Sequence, residues 1–238
     1  KKKEKPPVIP LSTDLHSHLL PNLDDGVDSY DESLFIIESL AEMGYKKLIT
    51  TPHIMQDFYN NSVESINAKM TELRSILKEE GIDMQVEAAA EYYLDDHLMQ
   101  IIDDESQELL LFGNNYMLFE TSFMNQPFYL NEFIFKAKSR GINPILAHPE
   151  RYAYIQSNPD LIDDLITRGV YLQLNINSIT GYYSRQVRKM AERMIDNKKI
   201  HFLGSDCHNK NHLQVMQRSV NEKYYTKALR LPLLNNSL

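Results

Sequence analysis

One cysteine, no long apolar run and a deficit of positive charge are the first limits on what this chain can be. Cys207 has no second cysteine to pair with, so there is no internal disulfide, which agrees with a reducing compartment. No apolar stretch approaches the roughly 20 residues of a membrane-spanning helix, and membrane insertion is not expected. A basic start followed by an apolar stretch, the mark of a secretion signal, is also missing, and the expectation is a cytoplasmic protein. With 25 Lys and Arg against 33 Asp and Glu, the formal net charge is −8. That balance works against the broad basic footprint of a nucleic-acid binder, and no nucleic acid partner is expected.

What the chain does have is enough apolar material for a full core: 238 residues, 42% of them hydrophobic. Residues 1–10 hold three prolines and four lysines and are expected to form a flexible N-terminal tail, leaving residues 11–238 as a single domain. Short β-type runs fall at 11–15, 47–51, 84–90, 116–121, 144–147, 170–175 and 200–204. Helical patterns lie between them at 31–44, 62–80, 131–140, 159–168 and 184–197, and Gly44, Gly81, Gly141 and Gly169 punctuate helix ends. Repeated strand-then-helix units predict a parallel α/β sheet with right-handed crossovers. An open sheet would gather its site at one switch point. Here nearly every strand is followed at once by a metal-type ligand, as in a barrel whose strand ends converge on one face, so the expected fold is a seven-stranded (β/α)7 TIM-like barrel.

The ligand-type residues come one segment at a time. In His16-Ser17-His18 the imidazoles are two residues apart and project to the same side of a strand; alone, they could be a surface pair. Asp24-Asp25-Gly26 offers a carboxylate on a turn, or only a turn. Thr51-Pro52-His53 leaves a β-run through a proline that ends ladder bonding and presents His53; a lone His-Pro neighbour pair would usually be a loop. Glu91 and Glu120 each terminate an apolar run, where an unpaired charge is costly, so each needs a salt bridge or a shared cation. His148 and Asp206-Cys207-His208 close two further strands, and Arg151, three residues past His148, has the planar guanidinium that captures phosphate bidentately. His97, His201 and His212 are expected to lie outside this set. Tyr30, Phe58, Tyr59, Tyr92, Tyr93, Phe123, Tyr152, Tyr182 and Tyr183 follow strand ends; they either pack loops or form an aromatic mouth suited to an aryl phosphate.

Together, Asp14-Leu15-His16-Ser17-His18, Asp24-Asp25-Gly26, Thr51-Pro52-His53, Glu91, Glu120, Ala147-His148-Pro149-Glu150-Arg151-Tyr152 and Gly204-Ser205-Asp206-Cys207-His208-Asn209 resemble the manganese-dependent protein tyrosine phosphatases of the polymerase and histidinol phosphatase (PHP) superfamily. These are the bacterial enzymes of capsule and exopolysaccharide synthesis. The resemblance covers residues 11–212 and implies a distorted (β/α)7 barrel, the PHP fold, with three divalent metal ions, Mn²⁺ foremost and Fe, Zn, Co or Mg as alternatives. It implies His16, His18 and Asp206 on one cation, Glu91 bridging to a second that also takes Glu120 and His148, and Asp25, His53 and His208 on the third. Arg151, Asp206 and His148 become the catalytic residues, with Arg151 binding the phosphoryl group. The implied partner is a phosphotyrosine protein, the tyrosine-rich C-terminal tail of a bacterial tyrosine kinase. One departure stands out: the family often carries a further arginine after the Asp-x-His motif, where this chain has Asn209-Lys210-Asn211-His212, leaving Lys210 as a substitute point charge.

The expected reaction is hydrolysis of a phosphate monoester by metal-activated hydroxide. A cysteine-based mechanism needs an arginine six residues after the thiol, and the residue there is Leu213. A small-molecule phosphatase of the histidinol-phosphate kind is the alternative within the superfamily. Amidohydrolases share His-x-His and a strand-end Asp but often use a bridging carboxylated lysine, where this chain offers Glu91. A non-catalytic docking partner of a kinase would have no chemical need for the ligand set.

Overall fold

In the computed structural model, which describes residues 6–238, the short apolar runs become strands that stop where the polar residues begin. They are β1 (Thr13–Asp14), β2 (Lys47–Thr50), β3 (His53–Ile54), β4 (Gln85–Ala88), β5 (Glu91–Tyr93), β6 (Tyr116–Glu120), β7 (Asn143–Ala147), β8 (Tyr171–Asn175) and β9 (Phe202–Gly204). Every ladder is parallel, in the orders β1-β2-β4 and β3-β5-β6-β7-β8-β9. β2 and β3 are two halves of one stave, interrupted at Thr51 and Pro52, where proline has no N–H to give to a ladder. β4 and β5 are halves of the next, interrupted at Ala89 and Ala90. The ring closes through a parallel bridge between Ser17 and Cys207, with Asp206 N donating to His16 O at 2.8 Å and His18 N to Cys207 O at 2.9 Å. Counting the split strands once gives seven staves among the described residues, the expected (β/α) barrel.

Helices follow the staves because their apolar stripes need the outside of the barrel to cover them. α1 (Tyr30–Glu42) starts at the Ser29 cap and buries Ile36, Ile37 and Leu40. α2 (Val63–Glu79) starts with a capping box between Ser62 and Ser65. α3 (Asp96–Asp103), capped by Asp95, was hidden from the helical pattern by its aspartates. α4 (Leu130–Ser139), α5 (Ala153–Ser157), α6 (Leu161–Thr167) and α7 (Arg185–Asp196) continue the alternation. Beyond β9 come α8 (Lys210–Ser219), capped by Asn209, and α9 (Lys223–Ala228). None of the described helices is long and apolar enough to cross a membrane. Residues 1–5 of the expected tail lie outside the described residues; residues 6–10 are exposed, and Ile9 N donates to Leu229 O at 3.2 Å.

Candidate metal centre

Side chains at the carboxyl ends of barrel strands point toward one shared space. His16 and His18 follow β1, His53 opens β3, Glu91 opens β5, Glu120 ends β6, His148 follows β7, and Asp206 and His208 follow β9. His148 and Asp206 adopt left-handed backbone, φ 35° and φ 48°, which turns the chain sharply at the strand end. Such conformations cost about 1–3 kcal/mol each and concentrate at functional sites.

The structure brings all the expected ligands together. His16 Nε2 is 3.1 Å from Glu91 Oε2, 3.3 Å from Asp206 Oδ1 and 3.3 Å from His18 Nε2. His53 Nδ1 is 3.1 Å from Glu120 Oε1, while His53 Nε2 and His208 Nε2 face Asp25 Oδ1 at 3.5 and 3.4 Å. His148 Nε2 meets Glu91 Oε1 at 3.0 Å. Three groups have donor atoms within 4.8 Å of one another: His16, His18, Glu91 and Asp206; His18, Asp25, His53 and His208; and His53, Glu91 and Glu120. The grouping differs from that implied by the resemblance. His18 and His53 each serve two groups because their rings stand 4.6 Å apart in the middle of the cluster, and His148 reaches it through the far oxygen of Glu91.

These side chains fit divalent cations by their donor chemistry. His16 Nδ1–H donates to Gln173 Oε1 at 2.9 Å, His18 Nδ1–H to Asp24 Oδ2 at 2.7 Å and His208 Nδ1–H to Asp206 O at 3.0 Å. Each bond leaves Nε2 for the cluster, the arrangement by which outer residues orient ligating histidines. The buried His148 Nδ1 has no hydrogen-bond partner, and His53 Nδ1 meets the Glu120 and Glu91 carboxylates without hydrogen-bond geometry. Burial alone would push the His16 pKa down, but Glu91 and Asp206 outweigh it and raise it to about 9. Burial likewise opposes charge on Glu91 and Asp206, yet the surrounding imidazoles hold both carboxyls well below the usual range. A place that stabilises positive charge this strongly suits a cation, and metal uptake would displace protons. Two glycines let the walls close in: a Cβ on Gly26 would sit 2.4 Å from His18 O, and one on Gly204 would sit 2.6 Å from Gln173 Nε2.

The cluster floors a cavity of about 680 Å³ walled by Tyr59, Tyr93, Phe123, Tyr182 and Tyr183. Phe58 is exposed outside it, and Tyr92 and Tyr152 are packed in the core. Arg151 is the only Lys or Arg lining the cavity among the described residues. Its guanidinium lies 4.2 Å from the Tyr183 ring and 4.8 Å from the Phe123 ring, and it donates to Asp206 Oδ2 at 2.9 Å. Lys210, the expected substitute point charge, stands outside the lining, with its ammonium 4.7 Å over the Phe35 ring of α1. His212, expected outside the site, lines the cavity, since α8 starts directly after the ligand loop and turns the ring to 5.2 Å from His208. His201 faces away as its strand parity requires and accepts from Leu172 N at 3.0 Å. Cys207 is buried and its thiol pKa is pushed up by that burial, the opposite of an activated thiolate.

Residues 12–237 match the family described as capsular polysaccharide synthesis, CpsB/CapC. The chain belongs to this family. CapC of Staphylococcus aureus is 30% identical over 197 residues, covering 82% of this chain and 76% of that protein. The tyrosine-protein phosphatase YwqE of Bacillus subtilis is 29% identical over 196 residues, covering 82% and 77%. Among solved structures, one described with YwqE of Bacillus subtilis and CpsB of Streptococcus pneumoniae as unique metal-dependent tyrosine phosphatases superposes with a TM-score of 0.79 at 26% identity. It covers 89% of this chain and 87% of that one.

Within this CpsB/CapC member, the residues that hold the ligands were harder to find than the ligands. Asp24 also accepts from His53 N at 2.9 Å. Asn175 Nδ2 donates to Asp206 Oδ2 at 2.8 Å and to Tyr183 OH at 2.9 Å. Glu150 Oε1 accepts from Asn175 N at 3.0 Å and Ser178 Oγ at 2.7 Å. The available signal was in β8: Gln173 and Asn175 are polar residues two apart in an otherwise apolar strand, on the face that looks into the barrel.

Proposed function

We propose that this chain is a metal-dependent protein tyrosine phosphatase. The observation that carries this reading is a cluster of imidazoles and carboxylates at the floor of an aromatic-walled cavity with one lining arginine, in a chain of the CpsB/CapC family. His16, His18, Asp25, His53, Glu91, Glu120, His148, Asp206 and His208 would hold three divalent cations. Manganese is the cation proposed from the resemblance, and a mixed carboxylate and imidazole set accommodates it. Bound cations would supply Lewis acidity toward the phosphoryl oxygens and a nucleophile at neutral pH.

The chain's own side chains do the rest. Arg151, held between two rings and tethered to Asp206, presents its remaining N–H groups to the phosphoryl oxygens and offsets charge as it develops. Tyr59, Tyr93, Phe123 and Tyr182 give the aryl ring of phosphotyrosine an apolar, π-rich slot and keep water from the floor. Asn175 and Tyr183 fix Asp206 and Arg151 relative to each other. The substrate we propose is phosphotyrosine in the tyrosine-rich tail of a bacterial tyrosine kinase, dephosphorylated in the cytoplasm.

The test is competition between substrates at equal concentration. A phosphotyrosine peptide should be hydrolysed with a kcat/KM at least about a hundredfold above that of an alkyl phosphate such as histidinol phosphate, because only the aryl ring can use the walls. Preference for the alkyl phosphate would replace this reading with that of a small-molecule phosphatase.

A further inference from the structure

Beside the mouth of the cavity the molecule spends large apolar side chains on solvent. Phe58 is 73% exposed, Met124 69% and Phe128 92%. They belong to the two loops that follow β3 and β6, and hydrogen bonds tie both loops to the one after β5 that lies between them. Gln56 N donates to Asp95 Oδ2 at 3.3 Å from one side, and Tyr129 OH donates to Leu94 O at 3.3 Å from the other. Phe58 is held in a tight turn bridged between Met55 and Tyr59, and Phe128 packs edge-on against Tyr129 at 4.6 Å. Met55, Tyr59, Tyr93 and Met124 line the cavity, so the exposed rings continue its apolar wall outward. Clustered exposure of this kind marks a binding surface.

Resting on the tyrosine phosphatase reading, the geometry points to this ledge, with Phe58 and Phe128 at its ends, as the docking surface for residues flanking the phosphotyrosine in an extended peptide, with apolar and basic flanks preferred. The charge pattern selects that occupant. Residues 55–61, 93–97 and 121–129 contain Asp57, Asp95 and Asp96 and no Lys or Arg. An anionic bilayer surface or a glutamate-flanked peptide would meet like charge there, whereas a lysine beside an apolar residue would meet opposite charge and a ring.

The experiment compares metal-replete wild type with the double variant Phe58→Ser/Phe128→Ser on p-nitrophenyl phosphate and on phosphotyrosine peptides with Leu/Lys, Gly/Ser or Glu flanks. For wild type the Leu/Lys peptide should exceed the Gly/Ser peptide about tenfold in kcat/KM. The Glu peptide should fall below both. In the variant the differences should shrink to about twofold while p-nitrophenyl phosphate turnover stays unchanged. Equal turnover of the three peptides by wild type would overturn the ledge and leave the phosphatase reading intact, as would a variant slowed equally on every substrate. Sedimentation of wild type, but not the variant, with phosphatidylglycerol vesicles, together with no peptide preference, would assign the surface to lipid instead. Hydrolysis of p-nitrophenyl phosphate with no peptide cleaved would sink the tyrosine phosphatase reading and the ledge with it.

Discussion

The two ends of the barrel are made from the same strands and treat polar groups in opposite ways. At the N-terminal end, buried Asn235 from the final turn accepts from Leu203 N at 3.0 Å and donates to Thr13 O at 3.0 Å and Leu203 O at 2.8 Å. Beside it, Tyr116 packs edge-on against Tyr171 and Phe202, each at 5.3 Å. Around Asn235 the polar atoms are paired and the rings interlock. At the C-terminal end, carboxylates and imidazoles are buried against one another, His148 Nδ1 has no hydrogen-bond partner, and His148 and Asp206 hold left-handed backbone. The difference teaches that buried charge is gathered where ligands must converge, while the opposite end closes with hydrogen-bonded amides and packed rings.

That contrast can be broken at either end. Asp206→Asn removes a central carboxylate and the tether of Arg151, so kcat/KM should fall about 10³-fold with loss of bound metal, read by elemental analysis beside the kinetics. Asp24→Ala removes the bonds to the far nitrogen of His18, the His53 backbone and Gly26 N but no proposed ligand; metal affinity should weaken about 10–100-fold in a titration, with saturating metal restoring most turnover. Asn235→Ala, at the opposite end, leaves buried backbone groups unpaired and should cost about 2–4 kcal/mol in denaturant unfolding, with kcat and KM unchanged below the transition. Kinetic damage from Asn235→Ala in folded protein would show that the ends are not separable. Smallest of all, Cys207→Ala should keep most activity in metal-replete protein, because the thiol is a buried filler between ligands; loss of turnover with folding intact would give the thiol a chemical role.

How much of this was legible in the sequence depends on the kind of signal. The seven staves were readable because each apolar run ends at a polar residue, and the convergence of ligand-type residues followed from their recurring at those ends. Pro52 marked the break between β2 and β3, but the break between β4 and β5 was not readable, since Ala89 and Ala90 carry no mark of a strand interruption. α3 was obscured by its aspartates, and the helices after β9 by a polar stretch in which His212 looked remote from the site. Asp24 and Glu150 were missed as supports because residues outside strands leave no periodic trace, and Gln173 and Asn175 because their alternation in β8 does not say which ligand each one holds. Lys210 illustrates the converse: a charge at a suggestive position was drawn aside by the Phe35 ring, which only the packing of α1 against α8 reveals.

The central claim is that the converging cluster works by holding cations, and Glu91, which faces His16, His53 and His148, is its hub. The most direct measurement is phosphate release from a phosphotyrosine peptide by metal-stripped protein before and after adding Mn²⁺, for wild type and Glu91→Gln. Activity absent without metal, restored in wild type and not restored in Glu91→Gln is the predicted result. Undiminished turnover by the stripped protein, or equal restoration in Glu91→Gln, would contradict it.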